Sequence, residues 1–342
     1  MTAADVTLKS GGGPSFGAVG KARFDRPLVR LMFRPEFPAL IFLFVLVAFF
    51  ACVAQGFFTT ANLQQILVQT SIVGIMALGL NQVVLAGEID VSVGSNLAVC
   101  AWAAGTVAVS VGGLALPTVT ALGLGALIGL INGLLVVAAR IPSIIVTLAT
   151  LYGLQGFEEV FNSVGIAGIP SSSRGFGAGS VLGLNVDVVV LLATFAVVAT
   201  VMRHTPWGRE VAAVGGNRRA ALLAGLPTNP IRLASFVLTG LCVGLAALVY
   251  IGQVDAVQAS AGSDLVLSVV ASVVIGGTSI TGGRGSTFAA LVGAVLMGTM
   301  LNGMSLLGIV ERWQDVFTGG VVLLAVGSDV VRQRVVGRLT AP

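Results

Sequence analysis

Apolar runs of about 20 residues recur along the whole chain, and this is the length that an α-helix needs to cross the hydrocarbon core of a bilayer. The composition of the 342 residues agrees with this pattern, because 56% are hydrophobic and only 9% are charged. An ordinary soluble domain has about 25% charged residues. These features exclude a soluble enzyme, a disordered chain and a collagen-like fibre. They predict an all-α polytopic membrane protein.

About ten apolar runs qualify as transmembrane helices. In chain order they cover 38–56, 63–86, 91–111, 114–138, 142–161, 186–202, 233–252, 265–281, 286–307 and 313–330. Ten spans leave both termini on one side, and placing that side in the cytosol puts 16 of the 18 lysine and arginine residues inside. Only Arg174 and Arg312 then remain outside. Because short cytosolic segments are enriched in basic residues, the sequence predicts cytosolic termini.

The spans divide the chain into three parts. We interpret residues 1–35 as a flexible basic cytosolic tail, 36–331 as the transmembrane domain and 332–342 as a second cytosolic tail. Two connections between spans are long. One covers 162–185 on the outside, and the other covers 203–232 in the cytosol and contains five arginines.

The charged and reactive side chains limit the classes of function that fit this sequence. The net charge of +4 does not indicate nucleic-acid binding, because the basic residues lie in short segments between apolar runs. The three cysteines lie inside apolar runs and His204 is the only histidine, so the sequence predicts no metal site and no cofactor. Neither Lys9 nor Lys21 completes a P-loop. If the protein pumps a solute, its energy therefore comes from an ion gradient or from another subunit.

The most distinctive segment is the short turn between the second and third spans, which contains Glu88 and Asp90. Three hypotheses fit two carboxylates at this place. Asp90 or Ser92 caps the start of the third span, where negative charge is favourable. The carboxylates have a gating or coupling role instead, or they form a proton or cation site within the membrane, where such groups are costly and usually functional.

Polar residues also mark the start of the second span. Asn62, Gln65 and Gln69 are spaced i, i+3 and i+7, which puts them on one stripe of a helix. Hydrogen bonding between helices explains such a stripe, and so does a pathway that contains water. The sequence leaves both interpretations open.

Glycine patterns predict close packing of two helices in one place and an interruption of a helix in another. Gly125, Gly129 and Gly133 repeat at four-residue spacing, which favours close approach of two helices. Residues 276–286 contain five glycines, so we expect a tight turn or a broken helix there.

A short internal likeness leads to the hypothesis of a duplication. Residues 125–134 in span four resemble residues 293–304 in span nine, and both contain an Asn-Gly pair. A shift by five spans, an odd number, gives the two copies opposite orientations. The hypothesis is therefore an inverted repeat of spans 2–5 and 7–10, as in many transporters.

The cytosolic stretch 205–226 has the pattern of two short helices. Gly215-Gly216 is predicted to form the turn between them, and Asn217 to cap the second helix. One interpretation is a basic loop at the phospholipid headgroups. The other is a docking element for a cytosolic partner, because the apolar residues would be unused in a solvated loop. The residues predicted to form this docking surface are Gly208, Arg209, Gly215, Gly216, Asn217, Arg218, Ala220, Ala221 and Leu222.

Several segments occur together in an order that matches a known family. They are 87–95 (Gly-Glu-Ile-Asp-Val-Ser-Val-Gly-Ser), 141–150 (Ile-Pro-Ser-Ile-Ile-Val-Thr-Leu-Ala-Thr), 208–221, 274–285 and 302–303. Their order and spacing from about residue 40 to residue 330 resemble the permease subunits of bacterial ABC importers of the ribose, xylose, arabinose and galactose class. Autoinducer-2 permeases belong to the same group.

The resemblance implies a ten-helix permease in the bacterial inner membrane that works as a dimer, with a second copy of itself or with a paralogue. It implies an extracytoplasmic solute-binding protein that delivers a monosaccharide or similar polyol-like solute. It also implies a cytosolic ATP-binding subunit that contacts 203–232, so that this chain is not itself an enzyme. Asn62, Gln65 and Gln69 then become candidates for the substrate pathway.

Glu88 and Asp90 become candidates for gating or coupling in this interpretation. Glu88 departs from the family pattern, because many relatives have glycine at that place. The alternative function is an ion-coupled secondary transporter in which Glu88 and Asp90 form the ion site.

Overall fold

The computed structural model describes residues 36–340 except 255, 259, 260 and 263, and it describes only the backbone of 311 and 328–340. The tail predicted at 1–35 lies outside these residues. The described part contains twelve α-helices. They are α1 (Phe37–Val53), α2 (Thr60–Leu85), α3 (Val93–Val111), α4 (Ala115–Val137), α5 (Ser143–Phe161), α6 (Val186–His204), α7 (Pro206–Gly216), α8 (Arg218–Leu223), α9 (Thr228–Gln253), α10 (Leu265–Ile275), α11 (Thr287–Leu306) and α12 (Glu311–Thr340).

Four short strands and one 3₁₀ turn, Ser171–Ser173, lie in the connections. The strands form two antiparallel pairs. The first joins β1 (Ile166–Ala167) to β4 (Ala256–Val257), and the second joins β2 (Ser180–Val181) to β3 (Leu184–Asn185).

Side-chain caps explain where several helices begin. The Oγ1 atom of Thr59 accepts a hydrogen bond from the backbone N–H of Asn62 at the start of α2. The Oγ atom of Ser286 accepts one from the N–H of Ala289 at the start of α11. Pro206 occupies the first turn of α7, where its missing N–H is no loss.

The helices confirm the predicted all-α polytopic fold. Seven of those described are long and apolar enough to cross a membrane, namely α2, α3, α4, α5, α6, α9 and α11. Helices α1 and α10 are shorter and apolar. Helix α12 covers the tenth predicted span.

Three helices have a boundary more than three residues from the predicted place. Helix α9 begins at Thr228 rather than at 233, so the last residues of the connection predicted at 203–232 are helical. Helix α10 ends at Ile275 rather than at 281, because two glycines follow and Gly277 has a φ of 101°. Its 11 residues rise about 16 Å, roughly half the thickness of the hydrocarbon core. Helix α12 contains no proline and continues to Thr340, so the boundary predicted between the transmembrane domain and the tail at 332–342 is not a helix end.

The pairing of helices has the pattern that the inverted repeat predicts. Helix α4 packs on α9, and α11 packs on α2. Helix α3 contacts α4, α5 and α9, whereas α10 contacts α11, α12 and α2. These contacts map onto one another when α2, α3, α4 and α5 are exchanged for α9, α10, α11 and α12. Contacts alone do not give the direction of each helix, so the inverted repeat of spans 2–5 and 7–10 stays a prediction.

Helices α4 and α9 approach closely at glycines. A Cβ atom on Gly125 or Gly129 would overlap backbone carbonyl groups of Gly240 or Phe236. A Cβ atom on Gly133 would lie 2.7 Å from a methyl group of Leu233. Close approach of this kind maximises van der Waals contact between helices in a bilayer, where the hydrophobic effect does not drive their association.

The outer helices expose apolar surface. Large side chains on α5 and α6, such as Ile145, Tyr152, Val160 and Val197, are more than half exposed. In contrast, α2 and α9 run through the bundle centre, where Leu78 is fully buried. An exposed apolar face on a membrane protein is suited to contact with lipid or with another membrane subunit.

The connections gather at two ends of the bundle. The arginine-rich end is formed by residues 86–92, 138–142, 205–227 and 276–286. Hydrogen bonds join two of these connections to neighbouring helix ends, from Gly283 to Leu85 of α2 and from Ile89 to Ser143 of α5. At the opposite end, β1 pairs with β4, and the guanidinium of Arg174 donates to the carbonyl of Gly252.

Candidate functional site at the arginine-rich end

Helices α7 and α8 form a helical hairpin at the arginine-rich end, which we call the coupling segment after the role that the sequence predicts for it. The Oδ1 atom of Asn217 accepts a hydrogen bond of 3.0 Å from the N–H of Ala220, so Asn217 caps α8 as the sequence predicts. The position of the turn differs from the prediction. Gly215 and Gly216 are the last residues of α7, and the chain turns at Asn217, whose backbone is extended.

The two faces of α8 have different surroundings. Ala221 is buried in an apolar cluster with Leu85, Val214 and Ile231, whereas Leu222 and Leu223 are 62% and 82% exposed. Ala221 therefore packs inside this chain, and Ala220 and Leu222 are exposed. Leu223, which the sequence reasoning omitted, is the most exposed apolar side chain of the hairpin.

Two other predicted docking residues lie at the start of α7. Gly208 is buried against the backbone of Met202, where a Cβ atom would overlap it, so Gly208 fixes the angle between α6 and α7. Arg209 is exposed. Arg218 is exposed at the start of α8, and its Nη2 atom donates a hydrogen bond of 3.2 Å to Oδ1 of Asn229.

A glycine junction joins the coupling segment to two other connections. We define it as Gly87, Gly215, Gly216, Gly282 and Gly283. A Cβ atom on Gly282 would lie 2.7 Å from the Cα of Gly87, and one on Gly215 would lie 2.7 Å from the N of Gly283. The N–H of Gly283 donates a hydrogen bond of 2.9 Å to the carbonyl of Leu85 at the end of α2. Backbones from three separate parts of the sequence thus touch without intervening side chains.

Glu88 forms an ion pair with Arg232, the residue near the start of α9. The Nε and Nη2 atoms of Arg232 lie 2.6 Å and 2.5 Å from Oε1 of Glu88. The side chains are 4% and 12% exposed, so the pair is largely shielded from solvent. Sequence reasoning identified Glu88 but missed Arg232, because nothing in the local pattern links two residues so far apart in the chain.

Asp90 is buried within a hydrogen-bonded network. Its Oδ1 atom accepts from the backbone N–H and the Oγ–H of Ser92, at 2.9 Å and 2.6 Å. The Nδ2 atom of Asn132 donates to Ser92 Oγ, and Thr150 donates to Asn132 Oδ1. Burial raises the pKa of Asp90, and the hydrogen bonds from Ser92 and Asn132 oppose that effect. The network joins the turn before α3 to both α4 and α5.

The same turn is bonded directly to the start of α5. The N–H of Ile89 donates to Oγ of Ser143 at 3.1 Å, and the Oγ1 of Thr147 donates to the carbonyl of Ile89 at 3.3 Å. Ser143 and Thr147 lie in the segment 141–150 that carries part of the family resemblance, but the sequence alone gave them no role.

The polar stripe of α2 lies near the opposite end. Asn62 donates its side-chain amide to the carbonyl of Phe57, Gln65 is exposed, and Gln69 is half-buried. The structure does not bring these three residues together with Glu88 or Asp90. In the part of the chain that is described, no group of three or more His, Cys, Asp or Glu side chains could hold a metal ion.

Comparison with known proteins gives the family. Residues 62–326 match the family model described as the permease component of the branched-chain amino acid transport system. The chain belongs to this permease family. The permease is 36% identical to the ribose import permease protein RbsC of Escherichia coli K12 over 304 residues, which cover 87% of this chain and 94% of RbsC. It is 35% identical to the L-arabinose ABC transporter permease protein AraH of Azospirillum brasilense, over 86% of this chain and 87% of AraH.

A further relative is the fructose import permease protein FrcC of Rhizobium meliloti, with 32% identity over 85% of this chain and 84% of FrcC. No solved structure matches the permease. The resemblance drawn from the sequence motifs is confirmed by these relatives, which are named as permeases of sugar importers.

Proposed function

We propose that this permease forms the transmembrane pathway of an ATP-driven importer for a monosaccharide or a similar small polyol-like solute. Ribose, L-arabinose and fructose appear in the names of its relatives. A cytosolic ATP-binding subunit, an extracytoplasmic solute-binding protein and a second permease subunit complete the transporter. Orientation with the arginine-rich end in the cytosol follows from the distribution of basic residues.

The observation that carries the coupling part of the proposal is a continuous set of contacts from the coupling segment to α4 and α5. The exposed face of α8 is open to a partner. From there the glycine junction leads to the end of α2, and the following turn is hydrogen-bonded to Ser143 and Thr147 of α5. A displacement of the hairpin by an ATP-binding subunit would therefore move the turn and the ends of these helices.

The pairing of Glu88 disfavours ion coupling at this turn. Its carboxylate is held by the guanidinium of Arg232, and the carboxylate of Asp90 is held by Ser92. An ion site needs acidic groups that face a pathway and exchange their partner. ATP-driven transport has no such requirement on the permease chain.

Uptake in cells that lack other routes tests the proposal. Labelled ribose, arabinose and fructose are offered. Labelled leucine is included for comparison, because the description of the family names branched-chain amino acid transport. We expect uptake of a sugar that survives collapse of the proton gradient and stops when ATP is depleted. Uptake that stops with the gradient while ATP is present would favour the secondary transporter, and uptake of leucine alone would overturn the solute class.

A further inference from the structure

A cavity of about 300 Å³ lies at the arginine-rich end, beside the ion pair of Glu88 and Arg232. Its lining consists of Glu88, Val136, Arg140, Ile141, Pro142, Arg218 and Arg232. Three guanidinium groups and one carboxylate give the lining a net charge of +2.

One donor of Arg232, a residue that lines this arginine cavity, is unused. Nε of Arg232 donates a hydrogen bond to Glu88 and Nη2 forms an ion pair with it, whereas Nη1 is buried and has no hydrogen-bond partner among the described residues. A buried guanidinium N–H without an acceptor is costly, so the site favours an additional acceptor. Glu88 neutralises only one of the three positive charges.

Arg140 has an unusual backbone conformation, and Arg218 is affected by the neighbouring arginines. Arg140 has a φ of 58°, which is rare for a residue with a side chain, and it lies between the end of α4 and Pro142. Burial and the charges of Arg232 and Arg140 lower the pKa of Arg218, while Glu88 opposes this. Positive groups that repel each other at close range are stabilised by an anion between them.

The surface around the cavity is apolar. Ile141, Ile144 and Ile145, at the start of α5, are all exposed. Basic pockets between transmembrane helices at the cytosolic boundary are the places where anionic headgroups bind. Guanidinium groups match the oxygen atoms of a phosphate in geometry as well as in charge.

We propose that the arginine cavity binds a phosphate-bearing anion, with Arg140, Arg218 and the free Nη1 of Arg232 as its donors. An anionic phospholipid and free phosphate both supply this chemistry. Glu88 competes with the anion for Arg232, so the charge at position 88 sets the affinity. This site is independent of the solute that the permease transports, because it is defined by the permease chain alone.

The experiment uses the purified full-length permease without any partner. In the first arm, inorganic phosphate is titrated in neutral detergent against chloride at equal ionic strength, and the melting temperature is recorded. In the second arm, nanodiscs of phosphatidylcholine are compared with nanodiscs that also contain phosphatidylglycerol, and retained lipid is identified by native mass spectrometry. Stabilisation in the first arm alone assigns free phosphate, and retention in the second assigns the lipid headgroup.

The variants are Arg140→Gln and Arg218→Gln, which alter exposed side chains, with Arg203→Gln as the matched control outside the cavity. We expect each cavity variant to weaken binding by about tenfold, since each removes a charge-assisted hydrogen bond. The control should bind as the wild type does. Glu88→Gln should strengthen binding, which a purely structural role of these residues does not predict. Equal binding by all variants, or stabilisation by chloride as strong as by phosphate, would overturn the proposal.

Discussion

The guanidinium of Arg232 donates a hydrogen bond from Nε to one oxygen of Glu88, 144 residues earlier in the chain, and forms an ion pair with the same oxygen through Nη2. The pair connects the turn between α2 and α3 to the start of α9, next to the coupling segment. It gives Glu88 a structural partner within the chain.

Loss of Glu88 should destabilise the permease through the arginine that it leaves behind. Glu88→Ala leaves a buried charge without its partner and should cost about 3 kcal/mol. The double variant Glu88→Ala/Arg232→Ala should recover part of that loss, because neither charge is then left unpaired. Thermal unfolding of the single and double variants in detergent measures the coupling. A double variant as unstable as the sum of the two single variants would mean that the pair contributes nothing.

The exposed face of α8 should bind the ATP-binding subunit. Leu223→Glu changes a side chain that is 82% exposed, so the permease should fold normally and lose copurification of that subunit. Leu182→Glu is the matched control, since Leu182 is fully exposed and lies in the connection 162–185 at the opposite end. Ala221→Glu should instead destabilise the hairpin, because it buries a carboxylate in an apolar cluster. Normal copurification of Leu223→Glu would place the docking surface elsewhere.

A side chain added at the glycine junction should reduce uptake without preventing the ATP-binding subunit from binding. Gly282→Ala strains a residue with a φ of 84° and pushes a methyl group against Gly87. Gly308→Ala is the control, because Gly308 has a φ of 72° but open space around it. Both substitutions should cost about 1 kcal/mol in backbone strain, and only Gly282→Ala adds a steric overlap. We expect uptake to fall strongly in Gly282→Ala and to persist in Gly308→Ala, while the ATP-binding subunit copurifies with both. Equal uptake by the two variants would contradict a role of the junction in coupling.

The orientation of the bundle is tested by single cysteines in a cysteine-free background. Residues 172 and 223 are both exposed and lie at opposite ends, and Ser172→Cys and Leu223→Cys are expressed without the ATP-binding subunit so that no partner covers position 223. If the arginine-rich end is cytosolic, an impermeant thiol reagent added to intact cells should label only the cysteine at 172. Labelling of both should appear after the membrane is opened. Labelling of 223 alone in intact cells would reverse the orientation.

Sequence reasoning was most effective where one physical property dominates over many residues. Each of the ten apolar runs predicted as a span contains a helix in the structure. The cap at Asn217 was also predicted, because it depends on residues only three positions apart. The end of α10 was placed too late, since glycine lowers helix stability without marking the residue at which the helix stops. Ala221 was assigned to the partner surface because composition does not distinguish the two faces of a six-residue helix.

The sequence by itself determined that this chain is a helical membrane protein, which helices it contains and which family it belongs to. These properties follow from local hydropathy and from ordered motifs, and neither requires knowledge of neighbours in space. Only the tertiary structure decided that Glu88 pairs with Arg232, that three glycine-containing connections meet at one junction, and that Arg140 and Arg218 face the same cavity. Hydropathy states which side chains avoid water. It does not state which groups replace water around a charge, because those groups lie on helices that are separated by more than a hundred residues in the sequence and meet only when the chain is folded.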